Sequence, residues 1–153
     1  MQPRLNAFQA APDLMKAVLA LSEASKASSV ETTIKELVKI RASQINGCAF
    51  CIEMHSREAR ALGETEERIY LLSGWRESPL YTVRERAALA WTESLTMVAE
   101  THAPDDVYEE ARRQFSDQAL TELTVAIGLI NLWNRVQVGF RAIHPVKTVK
   151  AAQ

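Results

Sequence analysis

Asn46-Gly47 splits the most constrained stretch of the chain, Glu36 to His55 (ELVKIRASQINGCAFCIEMH), into two helical patterns that must fold back on each other. Beyond the break Cys48 opens a helix whose periodicity runs to about Leu62, where Gly63 offers a left-handed cap. The two cysteines, the only ones in the chain, therefore fall in the first turn of a helix. Cys48, Cys51 and His55 are spaced i, i+3 and i+7, and the same stripe continues through Ile52, Ala59 and Leu62. That register turns both thiols and the imidazole inward. Cα atoms three apart on a helix lie about 5 to 6 Å from each other, within the span of a disulfide, so the pair can open and close without refolding.

Thiol chemistry requires a lowered pKa, and two arguments nominate different sulfurs. The unpaired N–H groups and positive dipole end of a helix favour a charged sulfur at Cys48. Cys51 lies one turn from His55, which can accept its proton, and Glu36 on the preceding helix is placed to hold that imidazole. By periodicity alone Glu36 falls on a solvated face with Ile40, opposite Ile34, Leu37, Val38, Arg41 and Ile45.

The rest of the chain reads as helices joined by short loops. Pro12-Asp13 starts a helix with Leu14, Val18 and Leu21 as its apolar positions, and Ser25 to Ser29 break it. Ser29 is expected to cap the helix that carries Glu36. Thr65 caps a short helix through Leu72, and Thr82-x-x-Glu85 forms a capping box for a helix to about Val98. Pro104-Asp105-Asp106 begins a sixth helix and Ser116-Asp117 a seventh, apolar on nearly every side from Ala119 to Trp133 and so expected in the middle. With no strand-like alternation, the expected fold class is all-α, one domain over 1–153 with its core at about 12–145, a bundle of six to seven helices. Met1 to Phe8 and Val146 to Gln153 lack caps and periodicity, and are expected to fray or to reach a neighbouring subunit.

Composition narrows the partners. Eighteen Lys and Arg against nineteen Asp and Glu, with no basic block, leave no electrostatic footprint for nucleic acid or an anionic membrane. No segment has the apolar length to span a bilayer and the N-terminus has no secretory signal, so a cytoplasmic location is expected. In a reducing compartment a Cys-x-x-Cys reads as redox-active or metal-binding rather than as a permanent staple.

At Glu36, Cys48-Ala-Phe-Cys51 and His55 the chain resembles the carboxymuconolactone decarboxylase superfamily, specifically its alkylhydroperoxidase D-like branch, which carries E-x11-C-x2-C-x3-H. The resemblance extends more loosely to LLSGW around Trp75 and INLWNR from Ile130 to Arg135. It implies an all-α fold, trimeric or hexameric homo-oligomers, and an antioxidant peroxidase that cycles between dithiol and disulfide without a cofactor or metal. Cys51 would attack a small hydroperoxide, Cys48 nearer the surface would resolve it, Glu36 and His55 would relay protons, and a lipoyl protein or thioredoxin-like dithiol would restore the pair. The peroxidases of that branch place a histidine immediately before the second cysteine, where this chain has Phe50. The true decarboxylases generally lack the cysteine pair.

Two other readings use the same residues. A non-enzymatic module could sense oxidants through the dithiol, or Cys48, Cys51, His55 and Glu36 could hold zinc tetrahedrally. Arg41 and Arg135, each in an apolar helical context, call for buried carboxylates, with Glu36 and Glu122 as candidates. Trp75, Trp91 and Trp133 read as core or interface anchors, and His102 and His144 stand apart from any cluster.

Overall fold

A computed structural model describes residues 2–145, so the expected C-terminal arm, Val146 to Gln153, lies outside the described residues. Among these residues the regular structure is entirely helical: α1 Ala7–Ala10, α2 Pro12–Lys26, α3 Thr32–Ile45, α4 Ala49–Ala61, α5 Glu66–Leu71, α6 Val83–Thr96, α7 Val98–Thr101, α8 Asp105–Gln114 and α9 Asp117–Gly139, with a 3₁₀ turn at Leu72–Gly74. The seven helices expected from the sequence are all present, and the two additional ones are single turns. No described helix is long and apolar enough to cross a membrane.

Local chemistry accounts for the helix ends. Thr65 and Ser116 accept the backbone N–H three residues on, and Thr82 with Glu85 completes the reciprocal capping box. Gly47 at φ 65° and Gly63 at φ 94° take the left-handed conformation on either side of α4, where a side chain would be strained. The chain leaves α6 at Met97, close to the expected end, and His102 ends α7 in the left-handed region.

α3 is the central helix, packed against α4, α6 and α9. Ile34 and Val38 meet Ala87, Ala88 and Trp91 of α6 and Leu123 and Ile127 of α9. Leu37 and Ile40 face Ala59, Leu72, Trp75, Tyr81 and Leu89, and Ala42 meets Cys48, Cys51 and Ile130. Each fully buried Leu or Ile contributes about 1.5–3 kcal/mol of transfer free energy. A helix enclosed on three sides has almost no solvated face, which is why Glu36 is 4 % exposed where periodicity placed it in water.

The structure corrects four further expectations. α9 is not in the middle, for Val125, Leu132 and Val138 on one side of it are exposed. Leu14 and Leu21 are likewise exposed, while Met15 docks α2 on the core. Ser29 does not cap α3: its N–H and hydroxyl both donate to Glu122, and Glu31 takes the N-cap position without a side-chain bond. The N-terminal arm is tied down, because Asn6 caps α1, Arg4 bonds the carbonyls of Gly139 and Phe140, and Phe8 stacks on Trp133 at 6.2 Å.

Candidate active site

The turn through Gly47 puts Cys48 at the N-cap of α4, where its Sγ accepts the Cys51 N–H at 3.4 Å. The two sulfurs are 2.8 Å apart, both reduced and both 1 % exposed. Cys48 is thus no nearer the surface than Cys51, contrary to the expectation for a resolving thiol. The stripe that carries them continues inward through His55 and Ala59, but Ile52 is half-buried and Leu62 exposed.

The shared proton polarises the pair. The Cys51 S–H donates to Cys48, and with the Cys51 backbone N–H, the Asn134 amide and the charge of His55 it outweighs burial and lowers the Cys48 thiol to about 6. Cys51 moves the other way, because it donates to Cys48 and is itself desolvated. The lowering falls on Cys48, the sulfur the helix-end argument nominates, but its largest cause is the bond from Cys51 rather than the helix end.

His55, 6 % exposed, lies on the next turn of α4. Its Nδ1 faces two carboxylates, Glu36 Oε2 at 2.9 Å and Glu58 Oε2 at 3.2 Å, so Nδ1 carries the proton and donates. Glu36 also accepts from Lys39 Nζ at 2.7 Å. Burial alone would raise the Glu36 carboxyl, yet the bonds from His55 and Lys39 together bring it below the usual carboxylate range.

The four residues named from the sequence thus share one hairpin, in two adjoining pairs: the thiols, and the imidazole with its carboxylate. They do not form a tetrahedral zinc set. The ligand-type atoms that converge within 4.8 Å among the described residues are those of Glu36, His55 and Glu58, without either sulfur. The Lys39 ammonium on Glu36 adds a positive charge that opposes a cation there.

Sequence reasoning missed Glu58, Lys39 and a buried amide network. The i, i+3 spacings of Glu58 from His55 and of Lys39 from Glu36 were the available signals. Asn134, 1 % exposed, donates to Ser43 Oγ at 2.9 Å and accepts from Asn46 at 2.9 Å. Asn46 reaches Asn131 in turn, and Arg135 bonds Asn131 rather than a carboxylate. Arg41 pairs with Glu93 at 2.8 Å, not with Glu36, and Glu122 serves Ser29. Two open surface hollows, one of about 310 Å³ beside Trp75, Arg76 and Arg86 and one of about 250 Å³ beside Leu21 and Val125, are not lined by either cysteine. The sulfurs are covered instead by Ile130, Phe50 and Trp133.

Comparison with known proteins bears on the family and the fold. The carboxymuconolactone decarboxylase family matches residues 12–94. The uncharacterized protein YdfG of Bacillus subtilis is 41 % identical over 90 % of this chain and 94 % of its own length. A crystal structure of a protein of unknown function from Agrobacterium tumefaciens, proposed to be the antioxidant defence protein AhpD, superposes with a TM-score of 0.93 at 51 % identity, covering 95 % of this chain and 100 % of that one. The debrominase Bmp8 shares the fold at a TM-score of 0.76 and 22 % identity, over 88 % of this chain and 72 % of its own. The chain belongs to the carboxymuconolactone decarboxylase family, in its alkylhydroperoxidase D-like branch.

Proposed function

We propose that this member of the carboxymuconolactone decarboxylase family is a thiol-dependent peroxidase with an antioxidant role. The observation that carries the reading is the pair of buried thiols 2.8 Å apart, one helical turn from an imidazole held by a buried carboxylate. The similarity to the Agrobacterium protein supports it.

In this reading the Cys51 proton passes to the Cys48 thiolate across the sulfur–sulfur contact, and the Cys51 thiolate attacks the hydroperoxide. The O–O bond breaks, sulfur takes the terminal OH as a sulfenic acid, and the leaving alkoxide takes a proton from His55 and departs as an alcohol. The Cys48 thiol then condenses with the sulfenic acid to give a disulfide and water. Proximity drives this step, since a resolving thiol one turn away acts at an effective concentration no free thiol reaches. An external dithiol, of protein or lipoyl type, reduces the disulfide, becomes oxidised itself, and leaves one thiol, one thiolate and a released proton. Exposed Leu14 and Leu21 on α2 and Val125 and Leu132 on α9 offer apolar area for a homo-oligomer.

The test is the intact mass and free-thiol count of the reduced protein before and after one equivalent of an organic hydroperoxide, with Cys48→Ser and Cys51→Ser alongside. A wild-type disulfide, with sulfenic acid accumulating only in Cys48→Ser, is the expected result. The mirror-image pattern moves the attack to Cys48, and thiols that survive excess peroxide sink the peroxidase reading.

A further inference from the structure

We infer that Asn134 and Ser43 are the donors that hold the sulfur anion of this site: the amide serves whichever cysteine carries the charge, and the hydroxyl serves Cys51. The inference deepens the peroxidase reading and rests on it only for its consequence in turnover.

The hydrogen-bond chain that ends at the sulfurs has its direction set at the far end. The INLWNR segment from Ile130 to Arg135 supplies three of its members, Asn131, Asn134 and Arg135. A guanidinium only donates, so the Asn131 side-chain atom that takes Arg135 Nη1 at 3.1 Å is its oxygen. The same oxygen meets Asn46 at 2.9 Å, which makes the Asn46 atom there its nitrogen. That nitrogen also donates to Asn134 at 2.9 Å, so Asn134 gives its oxygen to Asn46 and points its nitrogen the other way. One N–H of Asn134 then goes to Ser43 Oγ at 2.9 Å. Ser43 is the acceptor in that bond, and its own hydrogen is left to be given elsewhere.

Two hydrogens remain, the second amide N–H of Asn134 and the hydroxyl hydrogen of Ser43. Asn134 is 1 % and Ser43 0 % exposed, so water does not take them, and buried donors left unpaired are costly. The backbone does not take them either. The hydroxyls of Ser22 and Thr92 donate to the carbonyl four residues back, whereas that of Ser43 donates to no oxygen among the described residues. Sulfur is what lies beside them. The Ser43 carbonyl accepts the Cys48 N–H at 2.9 Å, and Ala42 next to it and Ile130, one turn before Asn134, pack with both cysteines. The Asn134 amide bonds Cys48 and Cys51 alike and favours the anion on either, while the Ser43 hydroxyl bonds Cys51. Such bonds strengthen when the acceptor is charged.

The arrangement meets a need of the proposed cycle. The Cys51 S–H and backbone N–H and the charge of His55, all from the cysteines' own helix, favour the anion on Cys48. When the proton crosses to Cys48, the charge moves 2.8 Å to a sulfur that burial disfavours. Asn134 stays bonded to the charge through that shift, and Ser43 adds a bond at the arriving end. Both donors are fixed in place beforehand by the chain from Arg135, so nothing reorganises as the charge moves. Neither gives up its proton; they hold the anion until sulfur bonds oxygen.

The experiment titrates each thiol alone, by its thiolate absorbance in full-length Cys48→Ser and Cys51→Ser, each with and without Ser43→Ala. The expected result is a Cys51 midpoint about one pH unit higher in Ser43→Ala, a tenfold loss of thiolate below it, with the Cys48 midpoint moved by less than about a third of that. Loss of a packing contact would move both sulfurs, so the difference between them is the readout. A shift shared equally by both thiols, or none at Cys51, overturns the assignment. Asn134→Leu, similar in size, is expected to raise both midpoints, and a folded Asn134→Leu that moves neither overturns the role of the amide. Where circular dichroism shows that variant unfolded, Ser43→Ala decides alone. Peroxide consumption by the proteins with both cysteines separates the two claims. The expected shifts in a protein whose wild type consumes no peroxide leave the donors standing and remove the peroxidase reading; unshifted thiols in an active peroxidase remove the donors alone.

Discussion

Glu36 and Glu93 are two buried carboxylates on neighbouring core helices, 4 % and 9 % exposed, and both are held below the usual carboxylate range although burial opposes it. They differ in what holds them. Glu93 accepts from Trp75 Nε1 at 2.8 Å, Arg41 Nε at 2.8 Å and Arg76 Nη2 at 2.7 Å. An indole and two guanidiniums keep their protons at any physiological pH, so this cluster is a fixed strut joining α3, the Trp75 segment and α6. Glu36 accepts from Lys39 and from an imidazole, whose second ring nitrogen can take up or give a proton. The same carboxylate in the same kind of burial is a brace in one place and, in the function proposed, part of a relay in the other, and the donor decides which.

That contrast is open to direct attack. Its largest expected effect is on stability: Glu93→Ala strands the Arg41 charge and the Trp75 N–H in the core, at a cost of about 3–5 kcal/mol in urea unfolding, with turnover per folded molecule unchanged. Glu36→Gln should reverse the pattern. Peroxide turnover should fall about 10²-fold, roughly 2.7 kcal/mol of barrier, while the urea midpoint moves by less than in Glu93→Ala, because the glutamine oxygen still accepts a hydrogen bond at the same place. Equal stability losses in the two variants would erase the distinction.

Trp75→Phe sharpens it further by removing one of three donors from Glu93, at about 1–2 kcal/mol, again without a change in turnover. The smallest effects are in pH dependence. Both carboxyls are depressed in the fold, so each contributes stability that is present above the unfolded value of about 4.3 and lost as pH falls through the folded value. The stability gap between wild type and Glu93→Gln should accordingly narrow on acidification. For Cys48 the sign is the same, its contribution being complete above the ordinary thiol range and gone once pH falls through about 6, whereas raised Cys51 contributes in the opposite sense, its share being lost as pH rises above the ordinary thiol range. Thiolate absorbance at 240 nm should titrate near that value in wild type, and a midpoint in the ordinary thiol range would contradict the charge placement.

The hairpin was legible because its signals are local. Asn46-Gly47 marks the turn, the i, i+3, i+7 spacing gathers Cys48, Cys51 and His55, and Thr82 with Glu85 announces the start of α6. Other features depend on neighbours far away in sequence. Glu36 is buried because α4, α6 and α9 enclose α3, a fact no single-helix periodicity contains. Arg41 finds Glu93 across 52 residues, and Asn134 finds Ser43 across 91. Leu14, Leu21 and Val125 run in the opposite sense, since apolar residues turned to the outside of the fold look the same in sequence as those turned to its core. Glu58 escaped notice because a half-exposed glutamate on a helix is ordinarily only a solvated face.

The thiols, the imidazole and its carboxylates all come from Glu36 to Glu58, a single helical hairpin, whereas the cover over the sulfurs, Phe50 apart, is supplied by Ile130 and Trp133 of α9, with Phe8 of the N-terminal arm stacked behind Trp133. The hairpin and most of its cover thus lie far apart in sequence: one is built from short-range contacts, the other from contacts that close a long loop. A partial opening that lifts the end of α9 and the arm would bare both thiols while His55 stayed on its carboxylates. Protection of the sulfurs can then be adjusted by the stability of a distant helix end, leaving the bonds within the hairpin unaltered.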